Sequence, residues 1–496
     1  MAVGNTPLSV DDFINNSSVK ECMARLSAEF KSRPFIVSDV LDDKGCQYAN
    51  LVQKGGGVLG IALVGYTYIL EEMGIRFIRL AGTSAGAINT ALMTVIGRKE
   101  EAKSIRVLDE ICKLNFFNLV DGHPAARWLI KNFITEQDFT AKVKKWITGI
   151  LLTLALLFAA DFVFLGLQHA LPGISVVTKA FFIFTGFFLL LLSILIAYIA
   201  TLLKRLKNSG YGINPGDYFY DWIKQQLLAN GVKTVSDLNA KAEAPIPGLH
   251  LRVPNDEGLI GLKGDVTFIA SELVTQNKIQ FPAMCNLFRR EEDIDTLQPA
   301  GFIRASMSIP VFFESYFIND IPCKENAIKD EWQKLGEKDP PTTARFVDGG
   351  ILSNFPINLF YNPRVITPRL PSLGIDLDDT KPDNASKHSE SWSIGGYFYR
   401  MFNTIRFYYD KDFLIKNAFF KKGIGTIHLP DFNWLNFFLT DADKIKMFVL
   451  GAQAATDFLI KFNWNDYKND RNEMRKQLLK EQTPGMPMPS KILTTT

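Results

Sequence analysis

The chain has 496 residues, more than one hydrophobic core ordinarily organises, so it carries either a large insertion or more than one structural unit. Apolar residues make up 47% and charged residues 22%, which excludes a wholly disordered chain, and a net charge of +3 with no basic stripe argues against a nucleic-acid surface. The five cysteines Cys22, Cys46, Cys112, Cys285 and Cys323 form no CxxC pair, so no zinc or dithiol site is expected and a reducing, cytosol-facing compartment fits.

Residues 1–44 read as a polar, partly helical lead-in. Their start, MAVGNTPLSVDDF, has neither the basic nor the apolar region of a secretory signal, so the first domain is expected to stay where it is made. Tyr48 to Val52 predicts a strand that runs into Gly55-Gly56-Gly57. From Val58 to Met73 the apolar residues Leu59, Ala62, Leu63, Tyr66, Ile69 and Leu70 recur at helical spacing, and Gly74 supplies the stop. Ile75 to Leu80 predicts a second strand, Gly82 to Gly86 a turn, and Ala87 to Ile96 a helix of small residues. Strand, helix, strand and helix in this order favour a parallel sheet covered by helices.

The composition then changes. Trp146 to Leu171 and Val176 to Leu203 are two apolar runs joined by Leu-Pro-Gly-Ile-Ser, and Ala180 to Leu203 holds no charged residue. The second run exceeds the roughly 20 residues that cross a bilayer. The first carries Asp161, which costs about 2.5–3.5 kcal/mol at a span centre, while each Leu, Ile or Phe returns about 0.3–0.6. Lys142, Lys144 and Lys145 precede the hairpin and Lys204, Arg205 and Lys207 follow it, whereas its turn region has only Lys179, so both ends are expected to be cytoplasmic. Folding the hairpin at its Pro-Gly turn brings Asp161 near Thr185 and Gly186. The alternative is a greasy lid on a soluble domain.

Beyond this insertion, residues 146–203 within a domain spanning 45–462, a helix is expected from Asp217 to Asn230. Strands are expected at Asp265 to Ala270 and Ala344 to Val347, and a last long helix from Ala442 to Phe462. Residues 463–496 read as a polar tail, unstructured after Gln482.

Three motifs carry chemistry. Gly55-Gly-Gly-Val-Leu-Gly60 follows a strand and opens a helix, as a dinucleotide loop does, but the next strand ends in Ala81-Gly82-Thr83-Ser84 with no acidic residue for a ribose. What remains is a set of backbone N–H groups at a helix start, the feature an oxyanion hole needs. Gly82-Thr-Ser84-Ala-Gly86 matches a nucleophile elbow, with the serine between a predicted strand and a predicted helix whose dipole favours a developing alkoxide. A base must accompany it. None of His123, His169, His250, His388 and His428 has a suggestive setting, whereas Asp348 follows the apolar segment Phe346-Val347 and precedes Gly349-Gly350. An aspartate is a weak base at its ordinary pKa of about 3.9, and burial beside an apolar pocket would strengthen it.

These three motifs, in this order, resemble those of the patatin-like phospholipases, and Phe268-Ile-Ala-Ser271, Arg304-Ala-Ser-Met-Ser-Ile-Pro310 and Ile351-Leu-Ser-Asn-Phe-Pro356 extend the likeness. The resemblance implies an α/β fold, a three-layer α/β/α domain with a mainly parallel central sheet. It also implies hydrolysis of lipid acyl esters by Ser84 as nucleophile and Asp348 as general base. N–H groups of the Gly55, Gly56, Gly57 and Gly60 loop would hold the oxyanion, Gly82, Gly86, Gly349 and Gly350 would be the motif glycines, and no metal or cofactor is implied. A phospholipid or other acyl lipid would be the substrate, and the bilayer a partner. The family's glycine loop commonly has Arg or Lys where Leu59 stands, and its motifs do not account for the hairpin. Two rival readings are an α/β-hydrolase using His428 as base, and a silent membrane scaffold whose hairpin is the working part.

Overall fold

The computed structural model describes residues 8–482 apart from 125–126, 129–138, 209, 255–257, 363–366, 380–400, 402–403, 405–407 and 409. His388 and the 483–496 tail therefore lie outside the described residues. The chain divides into two units: Met1–Leu119, Asp217–Ile309 and Tyr316–Thr496 form the first, Val120–Gly216 and Pro310–Ser315 the second.

Numbered in chain order, the first unit's strands are β1 (Val40–Leu41), β2 (Gln47–Gln53), β3 (Ile75–Thr83), β5 (His250–Leu251), β6 (Asp265–Glu272), β7 (Lys278–Phe281), β9 (Tyr316–Ile318), β10 (Ala344–Asp348), β11 (Ser372–Asp378) and β12 (Ile424–His428). The second unit's are β4 (Gly212–Asn214) and β8 (Val311–Phe313), which pair with each other in parallel. Every residue of β2 is buried, as befits a strand covered on both faces, and its polar side chains are used inside: Gln47 Oε1 accepts from the N–H groups of Val37 and Ser38.

The sheet is mixed, which corrects the expectation of a mainly parallel one. Pairing is parallel along β12, β11, β2, β3 and β6. It is antiparallel between β6 and β7, β6 and β10, β10 and β9, β1 and β2, and β1 and β5. The physical reason sits at the end of β6. The buried Glu272 carboxylate accepts from the N–H groups of Val274 and Thr275 and from Thr275 Oγ1, closing a tight turn that sends the chain straight back as β7. No crossover helix intervenes, so β7 must pair antiparallel with β6.

Helices pack on this sheet. The Gly60–Glu72 helix lies almost wholly buried against the Asp441–Lys461 helix, and glycines set their approach: a Cβ on Gly65 would stand 2.0 Å from Phe448 O, and one on Gly451 2.0 Å from Ala62 O. Thr440 and Asp443 close a capping box at the start of the second of these. The lead-in supplies the Ser17–Glu29 helix, and the tail begins with a helix at Trp464–Gln482 whose Trp464 and Tyr467 are buried.

In the second unit, the Phe139–Ala170 and Ser175–Asn208 helices fold into a hairpin through a short turn at Pro172–Ile174. Each contains a stretch long and apolar enough to cross a membrane, 25 residues at Lys144–Gln168 and 33 at Ser175–Lys207. Trp146 and Phe162 are 74% exposed on it. The rings of Phe164 and Phe181 lie 4.7 Å apart and Thr178 Oγ1 donates to Phe164 O, a register that sets Asp161 opposite the turn holding Thr185. Both side chains are buried, yet neither Asp161 Oδ1 nor Thr185 Oγ1 has a hydrogen-bond partner among the described residues.

Candidate active site

Ser84 caps the Ala85–Val95 helix directly after β3, with φ 53° and ψ −120°. A side chain other than glycine's rarely adopts this conformation, and the surroundings hold it there. The Ser84 N–H donates to Ser306 Oγ at 3.0 Å. A Cβ on Gly82 would stand 2.3 Å from the Gly86 carbonyl, and one on Gly86 2.3 Å from Gln53 O, so the tight turn closes only with glycine at both positions.

Strand pairing brings Asp348 to the same place. Phe268 and Ile269 of β6 pair with β3 and β7 at once, so those strands take opposite edges. Ala270 and Ser271 pair with β7 and β10 at once, which puts β10 on the edge that β3 occupies. The two strands therefore run towards each other along one edge of β6 and end on adjacent residues, Thr83 opposite Ile269 and Asp348 opposite Ala270. One step along a strand is about 3.3 Å. Ser84 and Asp348, both under 6% exposed, thus leave converging strand ends. Asp348 Oδ1 accepts from Gly350 N at 2.7 Å, and a Cβ on Gly349 would meet Ile269 O at 2.1 Å and Thr83 Cγ2 at 3.0 Å.

The segment after the Ala300–Ser306 helix ties the pair together. Ser306 receives the Ser84 N–H, and two residues on, Ser308 O receives the Asp348 N–H at 2.8 Å. Arg304, itself buried, donates to Ser308 Oγ at 2.6 Å. Sequence reading singled out this block only by resemblance. Its geometry gives Ser306 and Ser308 a task that local pattern does not show.

In the glycine loop, most N–H groups are committed: Gly55 donates to Asn354 O, Val58 to Trp434 O, Leu59 to Gly56 O and Gly60 to Gly57 O. Among the described residues no acceptor is recorded for the N–H groups of Gly56 and Gly57. Ala85, the first helical residue after Ser84, offers another N–H at the positive end of its helix. The elbow motif itself could have pointed to Ala85. Gly57 has φ +54° and passes so near Trp434 that a Cβ would stand 2.2 Å from its carbonyl oxygen.

An apolar cavity of about 60 Å³ adjoins these groups, lined by Gly57, Gly60 and Ala85 and walled by Ile61, Trp222 and Phe437 among others. Its lining suits apolar groups and offers little to a charged one.

The family model for patatin-like phospholipase matches residues 51–361, more than half of the chain. The chain belongs to the patatin-like phospholipase family. The uncharacterized protein YqhO of Bacillus subtilis (strain 168) is 26% identical over 416 residues, 83% of this chain and 98% of that one. The crystal structure of VipD from Legionella pneumophila aligns over 85% of this chain and 70% of that one, with 13% identity and a TM-score of 0.33. The patatin-like span contains all three motifs, whereas β11, β12 and the Asp441–Lys461 helix complete the fold beyond it. His428 also lies beyond it, 74% exposed at the end of β12, with Nδ1 3.1 Å from Asp378 Oδ2. The order β12, β11, β2, β3 leaves it three strands from the elbow, roughly 14 Å at about 4.8 Å per strand. Membership of the family makes a lipid acyl ester the expected substrate.

Proposed function

We propose that the protein is a membrane-associated lipid acyl hydrolase that works through a Ser84–Asp348 dyad. The observation that carries this reading is the convergence of β3 and β10 on one edge of β6. Asp348 takes the Ser84 hydroxyl proton as Oγ attacks the ester carbonyl. The N–H groups of Gly56, Gly57 and Ala85 receive the oxyanion, while Gly55 and Gly60, their own N–H groups engaged, shape the loop. Collapse of the tetrahedral adduct breaks the ester C–O bond, and the leaving alcohol or lysolipid takes the proton from Asp348. Water then gives a proton to Asp348 and attacks the acyl-enzyme, Ser84 recovers a proton and a fatty acid departs. The acyl carbons nearest the ester enter the apolar cavity. Buried Leu59 provides no cation for a head group.

The apolar hairpin spans the bilayer twice, with both ends and the hydrolase domain on the cytoplasmic side. Such a tether raises the effective concentration of substrate without added affinity for any one lipid. The test is fatty-acid release from mixed-phospholipid vesicles by the purified protein beside Ser84→Ala and Asp348→Asn. Each variant is expected to lose at least about 10³-fold in kcat. Release that survives Ser84→Ala would refute the dyad, and an inert wild-type protein that still acts in cells would favour the scaffold reading.

A further inference from the structure

Among the buried carboxylates outside the dyad, Asp410 bonds to the turn that follows the Asp-Gly motif. Asp410 lies outside the patatin-like span, in a part of the chain with no motif, and is 8% exposed. Its Oδ1 accepts from Ser353 Oγ at 2.8 Å and its Oδ2 from Phe355 N at 2.7 Å, and the Asn354 N–H is a third donor to it. Burial pushes the Asp410 carboxyl up, and the hydrogen bonds from this turn offset only part of that rise. A buried carboxylate wrapped around three successive residues fixes the conformation of that turn.

The turn holds both halves of the catalytic apparatus. Ser353 O accepts from Thr83 Oγ1 at 3.0 Å, one residue before the nucleophile. Asn354 grips Gly55 at both of its backbone groups: its carbonyl accepts the Gly55 N–H at 3.0 Å, and its Nδ2 donates to Gly55 O at 3.2 Å. The approach is close: a Cβ there would stand 2.5 Å from Asn354 Oδ1, 3.0 Å from Ser84 Cβ and 3.1 Å from Thr83 O. Gly55 is the residue immediately before the two unengaged N–H groups. Its orientation sets where those groups point.

We infer that Asp410 is a positioning residue: by fixing the Ser353–Phe355 turn, it aims the glycine-loop N–H groups at the atom attached to Ser84. This rests on the proposed role of Ser84 and the loop. Asp410 touches no reacting atom, so its removal misplaces the oxyanion donors and leaves the nucleophile and the acyl cavity in place. A donor displaced by about 1 Å costs on the order of 10²-fold in rate.

The test compares wild type, Asp410→Asn and Asp410→Ala in the full chain. Three readouts are used: the rate at which a fluorophosphonate labels Ser84, located by peptide mass, the steady-state constants on a soluble acyl ester, and deuterium uptake by the peptide spanning residues 54–60. Asparagine keeps one acceptor and alanine none. The expected order is wild type, then Asn, then Ala, with labelling and kcat falling roughly 10- to 100-fold while KM stays within about twofold, and with faster uptake at the loop. Equal labelling, kcat and uptake in all three proteins would overturn the inference, as would a rise in KM at constant kcat. If alanine prevents folding, the asparagine variant decides alone. Failure of wild-type Ser84 to react would instead count against the dyad, while the uptake comparison would still judge the clamp.

Discussion

A single methyl group added at Gly82 would have to displace main-chain atoms of Gly86 2.3 Å away, and no flexible side chain is there to yield. Gly82→Ala is therefore expected to destabilise the protein by about 1–3 kcal/mol and to slow labelling of Ser84 in whatever fraction folds. Chemical denaturation and the fluorophosphonate rate check the two parts separately. A variant as stable and as reactive as wild type would mean that the elbow relaxes, and that its tight turn is not what sets the reactivity of Ser84. At this scale the sequence was highly legible. Gly82, Gly86 and Gly349 stand where backbone meets backbone, and their spacing from Ser84 and Asp348 is local. Asn354 was quoted only as part of a block, and Asp410 gave no signal at all, because a hydrogen bond between residues 55 positions apart leaves no trace in either neighbourhood.

Among the elements, the hairpin was expected from hydropathy, and its two helices are present with most of their apolar side chains outward. The bulk of such a surface, left in water, would expose far more contiguous apolar area than a soluble monomer tolerates. The two-span proposal predicts that a membrane-impermeant thiol reagent applied to the far side labels a cysteine at Gly173 and not one at Lys207, with the reverse on the cytoplasmic side. Both sites should be read in the same vesicles. Labelling of both from one side would replace the spanning hairpin with one that lies on the surface. Asp161 shows where pattern stops: counting back from the turn brought it towards Thr185, but only side-chain packing could determine that both are buried without a hydrogen bond between Oδ1 and Oγ1.

For the whole molecule, the family span ends at residue 361, but the core does not. β11 pairs along β2 from Ser372 opposite Asn50 to Ile375 opposite Gln53, and the Asp441–Lys461 helix covers the buried face that carries Ala62, Gly65 and Tyr66. A chain ending at Tyr361 is expected to lose its cooperative thermal transition and to aggregate, since it leaves a central strand as an open edge and uncovers a helix buried on nearly every side. Calorimetry and sedimentation of that chain beside the full one test this. A soluble, cooperatively unfolding product would make the later strands an accessory layer.

Hydropathy and local spacing by themselves determined the four elements from β2 to the Ala85–Val95 helix, the apolar hairpin and the residues of the elbow and the Asp-Gly turn, because each depends on contacts within a few positions or on transfer from water. The sense of the second half of the sheet was not legible. At β7 it turns on Glu272, whose carboxylate folds the chain back at residues 273–276 instead of letting a helix cross over, and an isolated glutamate at a strand end does not announce that use. Only the tertiary structure decided that β3 and β10 share one edge of β6 and end opposite adjacent residues, that Ser306 and Ser308 bind the backbone of Ser84 and Asp348, and that a carboxylate beyond the family span grips the turn that holds Gly55. Those are relations between segments tens to hundreds of residues apart, set by strand register and by burial of polar groups that must find partners, and neither is encoded in any one stretch of chain.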